Sequence, residues 1–406
     1  MHRLQFHYTL SGDSSPAQVR NPLIDLLQAV AQAGSISAAA RALKLSYRHV
    51  WGELKRWENV LGHELIVWEK GQAARLTEFA DKLMWAEAQA QARLAPQIEA
   101  LRSELERTFA VAFDDSAHVV TLYASHDDAL SRLREYALQR GGDKACDTDP
   151  GSTRGNGRSN SNGNGNGTSN GHGSGQEDRH SGPLHLDIRF TGSVDAIRAL
   201  NEGRCVMAGF HTQQHPCAGS LAERTYKPLL RPGLHKIIGF ALRTQGLMVA
   251  PGNPLALMNL QDVARTGARF VNRALGTGTR VLLDELLAQA GLQADEVKGY
   301  PDTEPSHTAV AQSVASGAAD VGLGIEQAAR SKGLDFVPLL QENYHLVCLK
   351  SALEQPAIAA LRQLLQGQDW QETLAAMAGY APSDSGEVLA LSQVLPWWDF
   401  RKKKRL

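Results

Sequence analysis

The sequence lacks an excess of charge of either sign: 42 Lys and Arg stand against 43 Asp and Glu in 406 residues, a formal net charge of −1. A uniformly basic coat for nucleic acid is excluded, so any such contact must come from a local patch. No run of 18 apolar residues occurs, which argues against a helical membrane span. The opening residues Met1 to His7 lack the apolar core of a secretory signal. Cysteine is scarce: Cys146, Cys205, Cys217 and Cys348 are scattered, with no CxxC spacing. Scattered thiols without a signal lead us to expect a reducing cytoplasm and no membrane partner. Enzyme signatures are missing too. Gly276-Thr277-Gly278-Thr279-Arg280 is neither a phosphate loop nor a GxGxxG fingerprint, and no GxSxG or HExxH occurs. No catalytic residues are expected. His211, His215 and Cys217 in "HTQQHPC" are metal-ligand types, but the segment reads as a surface loop without a fourth ligand, so no metal is expected.

What is present is ordinary globular composition, 43% hydrophobic and 21% charged, in a chain long enough for two or three domains. One tract stands apart. Residues 151–175 hold nine Gly, six Asn and five Ser and no apolar side chain. Such a stretch cannot bury enough surface to offset its ordering entropy, and we read 141–182 as a disordered insertion within a domain. Strand-then-helix patterns flank it, at Val119–Ser125 with Asp127–Gln139 and at His185–Thr191 with Ser193–Asn201.

Residues 21–110 read as helical with one short hairpin. Pro22–Ala33 and Ser35–Leu43 are the first two helices, and Ile36, Ala39, Ala40 and Leu43 share a face. Ser46 N-caps a third helix ending at Leu61. Glu64–Trp68 and Arg75–Thr77 flank a turn with Gly71. A long helix follows from Thr77, with Pro96 expected to kink or interrupt it. Beyond 117, apolar runs alternate with helices: Val119–Ala124, Leu186–Phe190, Val206–Phe210, Ile237–Ala241, Leu247–Ala250, Phe270–Asn272, Asp320–Ile325, Asp335–Pro338 and His345–Leu349. That is an α/β pattern with mostly parallel strands.

The third helix divides by face. Val50, Leu54, Trp57 and Leu61 recur at core spacing, whereas Arg48, Gly52, Lys55 and Asn59 lie opposite, with Tyr47 and Trp51 at the edge. Residues 41–75 contain seven Lys/Arg and four Glu, a local balance of +3. A short helix, a tight turn and an outward basic helix is helix-turn-helix logic. The alternative is a solvated face of an ordinary bundle. The candidate DNA-contacting set is Ser46, Tyr47, Arg48, Trp51, Lys55 and Arg56.

The segment "GSISAAARALKLSYRHVWGELKRWENVLGHELIVWEKG…ARLTEFADKL" resembles the DNA-binding module of the molybdate-responsive ModE-type regulators, and more loosely the winged helix of LysR-type regulators. The resemblance implies that Ser46, Tyr47 and Arg48 approach the major groove of double-stranded operator DNA. It also implies that the helix from Thr77 pairs with its twin in a homodimer or higher homo-oligomer. Leu83, Ala90, Leu94, Ile98, Leu101 and Leu105 form the matching stripe, which would equally serve to pack on the chain's own domain. Residues 117–385, through "YASHDDAL", "FTGSVDAIRAL", "GLMVAPGNPLAL", "FVNRALGTGTRVLLDELL" and "GAADVGLGI", resemble periplasmic-binding-protein-like domains of the branch found in molybdenum-related proteins. The expected fold is therefore an all-α winged helix-turn-helix over 21–110 with a long dimerisation helix, then a two-lobed α/β domain over 117–385. Residues 386–406 are read as a C-terminal tail, and its end, "RKKKRL", is expected to be a solvated terminus, with nonspecific DNA contact as the alternative.

Helix-terminus physics makes the second domain a candidate for anion binding. Ser125, Ser193, Thr277 to Thr279 and Ser306 sit where strands hand over to helices, whose N-termini offer free N–H groups and partial positive charge. Gly276 and Gly278 permit close backbone approach. Arg273 and Arg280 supply charge-assisted contacts. For Ser125 and Ser193 plain N-capping is the alternative, and for Arg280 a pairing with Asp284 one turn on. Asp127 and Asp128 would steady the helix dipole or pair with an arginine. With no cofactor expected, the reading is a regulator sensing molybdate, tungstate or a metabolite tied to molybdenum enzymes. A small carboxylate such as formate is the rival effector, and an anion-binding protein without DNA binding the rival class.

Overall fold

The computed structural model describes residues 21–68, 73–113, 118–146 and 184–398. They fall into two compact units divided between Ala92 and Arg93.

The first unit holds α1 (Pro22–Ala33), α2 (Ile36–Ala42), α3 (Tyr47–Leu61), the antiparallel pair β1 (Ile66–Val67) and β2 (Arg75–Leu76), and the start of α4 (Glu78–Phe113). The helix starts follow from capping chemistry: Asn21, Ser35 and Ser46 accept from the backbone N–H of Leu23, Ala38 and His49. Gly34 and Gly62 close α1 and α3 at φ +63° and +73°. Leu27, Val30, Ala39, Val50, Leu54, Leu65 and Ala80 form the core. The expected helices agree with these bounds to within a residue, and Gly71 of the hairpin turn lies outside the described residues.

Pro96 does not interrupt α4, which runs on through it. An interior proline costs a helix about 3 kcal/mol. Here, contacts on both sides of it offset that cost. Arg93 makes two hydrogen bonds to Glu304 (2.9 and 2.7 Å), and Glu99 pairs with both Arg134 and His126 (3.3 Å each). The second half of α4 therefore belongs with the second unit, not with a domain ending at 110.

That unit continues with β3 (His118–Ala124), α5 (Asp128–Cys146), β4 (Leu184–Phe190), α6 (Ser193–Asn201), β5 (Met207–Gln213), α7 (Leu221–Tyr226) and β6 (His235–Val249). Next come α8 (Leu260–Thr266), β7 (Phe270–Arg273), α9 (Gly278–Ala290), β8 (Thr303–Glu304), α10 (His307–Ala315), β9 (Val321–Ile325), α11 (Glu326–Ser331) and β10 (Asp335–Leu349). The chain closes with α12 (Pro356–Gln366), α13 (Gln368–Ala375), β11 (Tyr380–Pro382), β12 (Val388–Leu389) and α14 (Leu391–Val394). The sheet order is β4-β3-β5-β10-β6-β9-β7-β8. β3 is parallel to β4 and β5, and β7 is parallel to β8 and β9, so each lobe is parallel as expected.

The centre of the sheet differs from expectation. Ile237–Ala241 and Leu247–Ala250 are one strand, β6, and Asp335–Pro338 and His345–Leu349 are one strand, β10, each of 15 residues. They run antiparallel along their whole length. β10 pairs onward with β5 of the first lobe and β6 with β9 of the second, so the two strands cross between the lobes. The sequence suggested breaks because Arg243-Thr244-Gln245 and Gln341-Glu342-Asn343 are polar. They are strand residues nonetheless, with Arg243, Gln245 and Glu342 bonded to one another in the interior.

Two further boundaries move. α5 continues to Cys146, so residues 141–146 are helical, while the rest of the proposed insertion lies outside the described residues. Residues 386–398 pack into the second unit instead of forming a separate tail. Leu391, Leu395 and Trp397 join Ile197, Leu200, Phe210 and Tyr226 in a buried cluster, because the first lobe needs their apolar surface to complete its core. The basic terminus 399–406 lies outside the described residues.

Candidate functional site

In the first unit, α3 turns Val50 and Leu54 inward and leaves Tyr47, Arg48, Gly52, Lys55, Arg56 and Asn59 exposed. Tyr47 is 47% exposed and stacks at 6.5 Å on Trp51, whose ring carries the Lys55 ammonium at 4.9 Å. Arg48 engages no partner among the described residues. Three expected contacts have local employment. Ser46 Oγ caps α3 by accepting from His49 N (3.2 Å), Lys55 pairs with Glu58 and Arg56 with Glu53 (2.6 Å each). Exposed i,i+3 pairs are worth only about 0.3–0.5 kcal/mol, so both cations can exchange their partner for a phosphate.

In the second unit the two lobes meet through the loops that precede α6 and α9. A Cβ on Gly278 would stand 2.9 Å from His211 Nδ1. Ser193 Oγ lies 3.4 Å from Ser125 Oγ and 3.5 Å from His211 Nδ1. Thr279 Oγ1 lies 3.4 Å from both Gln245 Nε2 and His307 Nε2. Ser125, Ser193 and Thr279 are thus brought together, in contact with imidazoles from both lobes. Thr277 and Ser306 serve as N-caps, accepting from Arg280 N and Ala309 N. Gly276 takes φ +83°, a backbone conformation that its missing side chain permits.

The two arginines part company. Arg280 is not on the hydroxyl cluster: its guanidinium lies 3.9 Å over the Tyr300 ring and pairs with Asp284 at 3.2 Å, itself bonded to Tyr300. Intrahelical i,i+4 spacing and a flat aromatic face hold it there. Arg273 is 2% exposed, and Nη1 reaches only the carbonyl oxygen of Glu304 (3.3 Å) while Nε has no protein partner. Burial, aided by nearby Arg243, pulls it down to about 9. An unpaired cation in the interior is costly, and an anion relieves that cost.

Sequence reading missed several members. Arg243 sits between Asp127 and Glu342, with Tyr380 on Asp127 (2.9 Å) and Gln245 on Glu342 (2.7 Å). Asp127 thereby follows the arginine-pairing alternative while its other oxygen caps α5 at Ala129 N. His211 was assigned to a surface loop, yet it is a buried residue of β5, and His215 and Cys217 lie beyond the strand. Among the described residues no group of metal ligands assembles. His211 Nε2, His307 Nδ1 and the Tyr344 hydroxyl are buried without a protein partner. Burial pushes both imidazoles well below the usual histidine range, with Arg243 and Arg273 acting in the same direction. The apolar positions of β5 signalled its burial; nothing in the linear pattern signalled that its histidine faces a glycine loop of the other lobe.

The family described as "Bacterial regulatory helix-turn-helix protein, lysR family" matches residues 23–81, and the "PBP superfamily domain" matches residues 175–366. The chain thus carries a LysR-type helix-turn-helix followed by a PBP-like domain. The chain is 32% identical over 201 residues to "Uncharacterized protein YvgK" of Bacillus subtilis, covering 50% of this chain and 64% of that one. It is 33% identical over 110 residues to "Uncharacterized protein in ferredoxin 2Fe-2S gene 5'region" of Clostridium pasteurianum, covering 27% of this chain and 97% of that one. Similar solved structures include a peroxide-bound OxyR variant of Corynebacterium glutamicum (15% identity, 87% and 93% covered, TM-score 0.39). Another is full-length CbnR complexed with its target DNA (13%, 84% and 99%, TM-score 0.39). No single helix among the described residues is long and apolar enough to cross a membrane.

Proposed function

We propose that this protein is a DNA-binding transcriptional regulator of the LysR type, which binds operator DNA as a homo-oligomer and responds to a small anion held between the lobes of its second domain, a tetrahedral oxyanion such as molybdate or tungstate. The observation that carries the anion reading is Arg273, a buried guanidinium with no carboxylate partner. Unpartnered nitrogens of His211 and His307 and the hydroxyls of Ser125, Ser193, Thr279 and Tyr344 surround the same region. Nearly all are donors or can act as donors, which suits a ligand made of acceptor oxygens. The pairing of protomers is supported by Leu101 and Leu105 on α4, 57% and 37% exposed. Apolar surface left on a long helix favours a second copy of that helix.

The test is a thermal-shift screen of the full chain with molybdate, tungstate, sulfate and formate, because a ligand of the native state raises its melting temperature. A rise with the oxyanions alone supports the reading. A rise with formate alone moves the effector to the carboxylate class. No rise with any of the four refutes an anion site.

A further inference from the structure

His211 and His307 lie on opposite lobes, the first in β5 and the second at the start of α10. Each ring has one nitrogen beside a hydroxyl, Ser193 Oγ for His211 Nδ1 and Thr279 Oγ1 for His307 Nε2. The other nitrogen of each is buried without a protein partner. The short Gly278-Thr279 segment links them, since Gly278 abuts His211 and Thr279 reaches His307.

We propose that His211 and His307 contact the anion and bind it together with a proton, so that the regulator senses anion and acidity as one signal. This rests on the anion reading of the cleft. The groups facing each ring explain why a proton arrives only with the ligand. His211 faces Arg243 of β6, Arg273 of β7, and Tyr344 and His345 of β10, with Ser193 of α6 beside it. His307 faces Arg273, Arg243, His211 and, after β3, His126, with Thr279 of α9 beside it. No carboxylate is among them, and the nearby Asp127 and Glu342 are both held by Arg243. Burial and these cations keep both rings neutral, and a neutral imidazole has a single N–H to donate. An anion among them offsets the charge of Arg273 and accepts hydrogen bonds. A proton taken from solvent then lets a ring donate from both nitrogens, one to its hydroxyl and one to the anion.

The test is calorimetric titration of the full chain with sodium sulfate, sodium molybdate and sodium formate at pH 6.5 and 8.0. Each titration is run in two buffers of different ionisation enthalpy. The difference between buffers counts protons, and the salt that binds is expected to take up about one proton per anion and to bind at least fivefold more tightly at pH 6.5. The His211→Asn/His307→Asn variant, whose amides cannot titrate, is expected to lose that dependence while still binding at pH 8.0. Binding without proton uptake in the wild type overturns the proposal and leaves the anion site standing, as does an unchanged pH dependence in the double variant. No heat from any of the three salts overturns the anion reading and this proposal together. The buffer comparison uses the unaltered protein, so it decides even where the variant fails to fold.

Discussion

Gly192 and Gly276 meet across the two lobes so closely that a Cβ on Gly192 would stand 2.6 Å from the carbonyl oxygen of Gly276. The two loops carry Ser193 and Thr277, the first residue of α6 and the N-cap of α9. Glycine is required at 192 for clearance from the facing backbone. Closure of the lobes therefore depends on a missing side chain.

Gly192→Ala is expected to weaken anion binding by tenfold or more, with a smaller change in melting temperature, because the added methyl holds the lobes apart without entering either core. Calorimetry beside a thermal melt checks this. Wild-type affinity in the variant would show that closure plays no part in binding.

Arg273 and Arg280 should respond in opposite ways. Arg273→Met removes a buried charge that has no carboxylate partner, at similar volume, and so relieves the cost of burying it. We expect a melting temperature no lower than wild type and at least tenfold weaker anion binding. Arg280→Ala breaks the Asp284 pair and the Tyr300 stack, and should cost about 1 kcal/mol of stability with affinity nearly unchanged. The reverse pattern would return the ligand contact to Arg280.

On DNA, Arg48→Ala is expected to weaken operator binding by about 1–3 kcal/mol, since this arginine is exposed and uncommitted near the start of α3. Arg56→Ala should cost less, because Glu53 already competes for that guanidinium. Mobility-shift titrations at one fixed salt concentration compare the two. Equal affinities of Arg48→Ala and wild type, with circular dichroism unchanged, would remove Arg48 from the interface.

Stability should fall in acid for a stated reason. His211 and His307 lie well below the usual histidine range and His345 is pushed down to about 3, burial being the leading cause for each. The unfolded chain takes up these protons near pH 6.5 and the folded chain does not, so the stabilising difference is present above that pH and is lost as pH falls toward the folded values. Urea midpoints at pH 8.0, 6.5 and 5.0 should decline over the last interval. A flat profile would mean that the imidazoles are already charged in the native state.

Much of the first unit was legible in the sequence because its determinants are local. Asn21, Ser35 and Ser46 cap the helix that each precedes, and Val50 and Leu54 follow a period of 3.6, so boundaries and faces came from spacing alone. The strand-to-helix hydroxyls Ser125, Ser193 and Thr279 were legible for the same reason. The choice between Arg273 and Arg280 was not. It depends on Tyr300, 20 residues beyond Arg280 and across a turn, which supplies a face for one guanidinium, whereas the other is buried against the Glu304 carbonyl with no carboxylate partner.

Composition and periodicity by themselves determined that a helical unit with an outward basic face precedes an α/β domain, since backbone hydrogen bonding and one-sided burial repeat at fixed intervals along the chain. Tertiary structure alone decided that β6 and β10 are continuous strands with polar middles, and that the last described residues complete a core. It also decided that His211, Thr279 and His307 share one interior. The physical reason is common to all three: a buried polar group persists where partners from distant segments satisfy it, and linear spacing does not encode which distant segments meet.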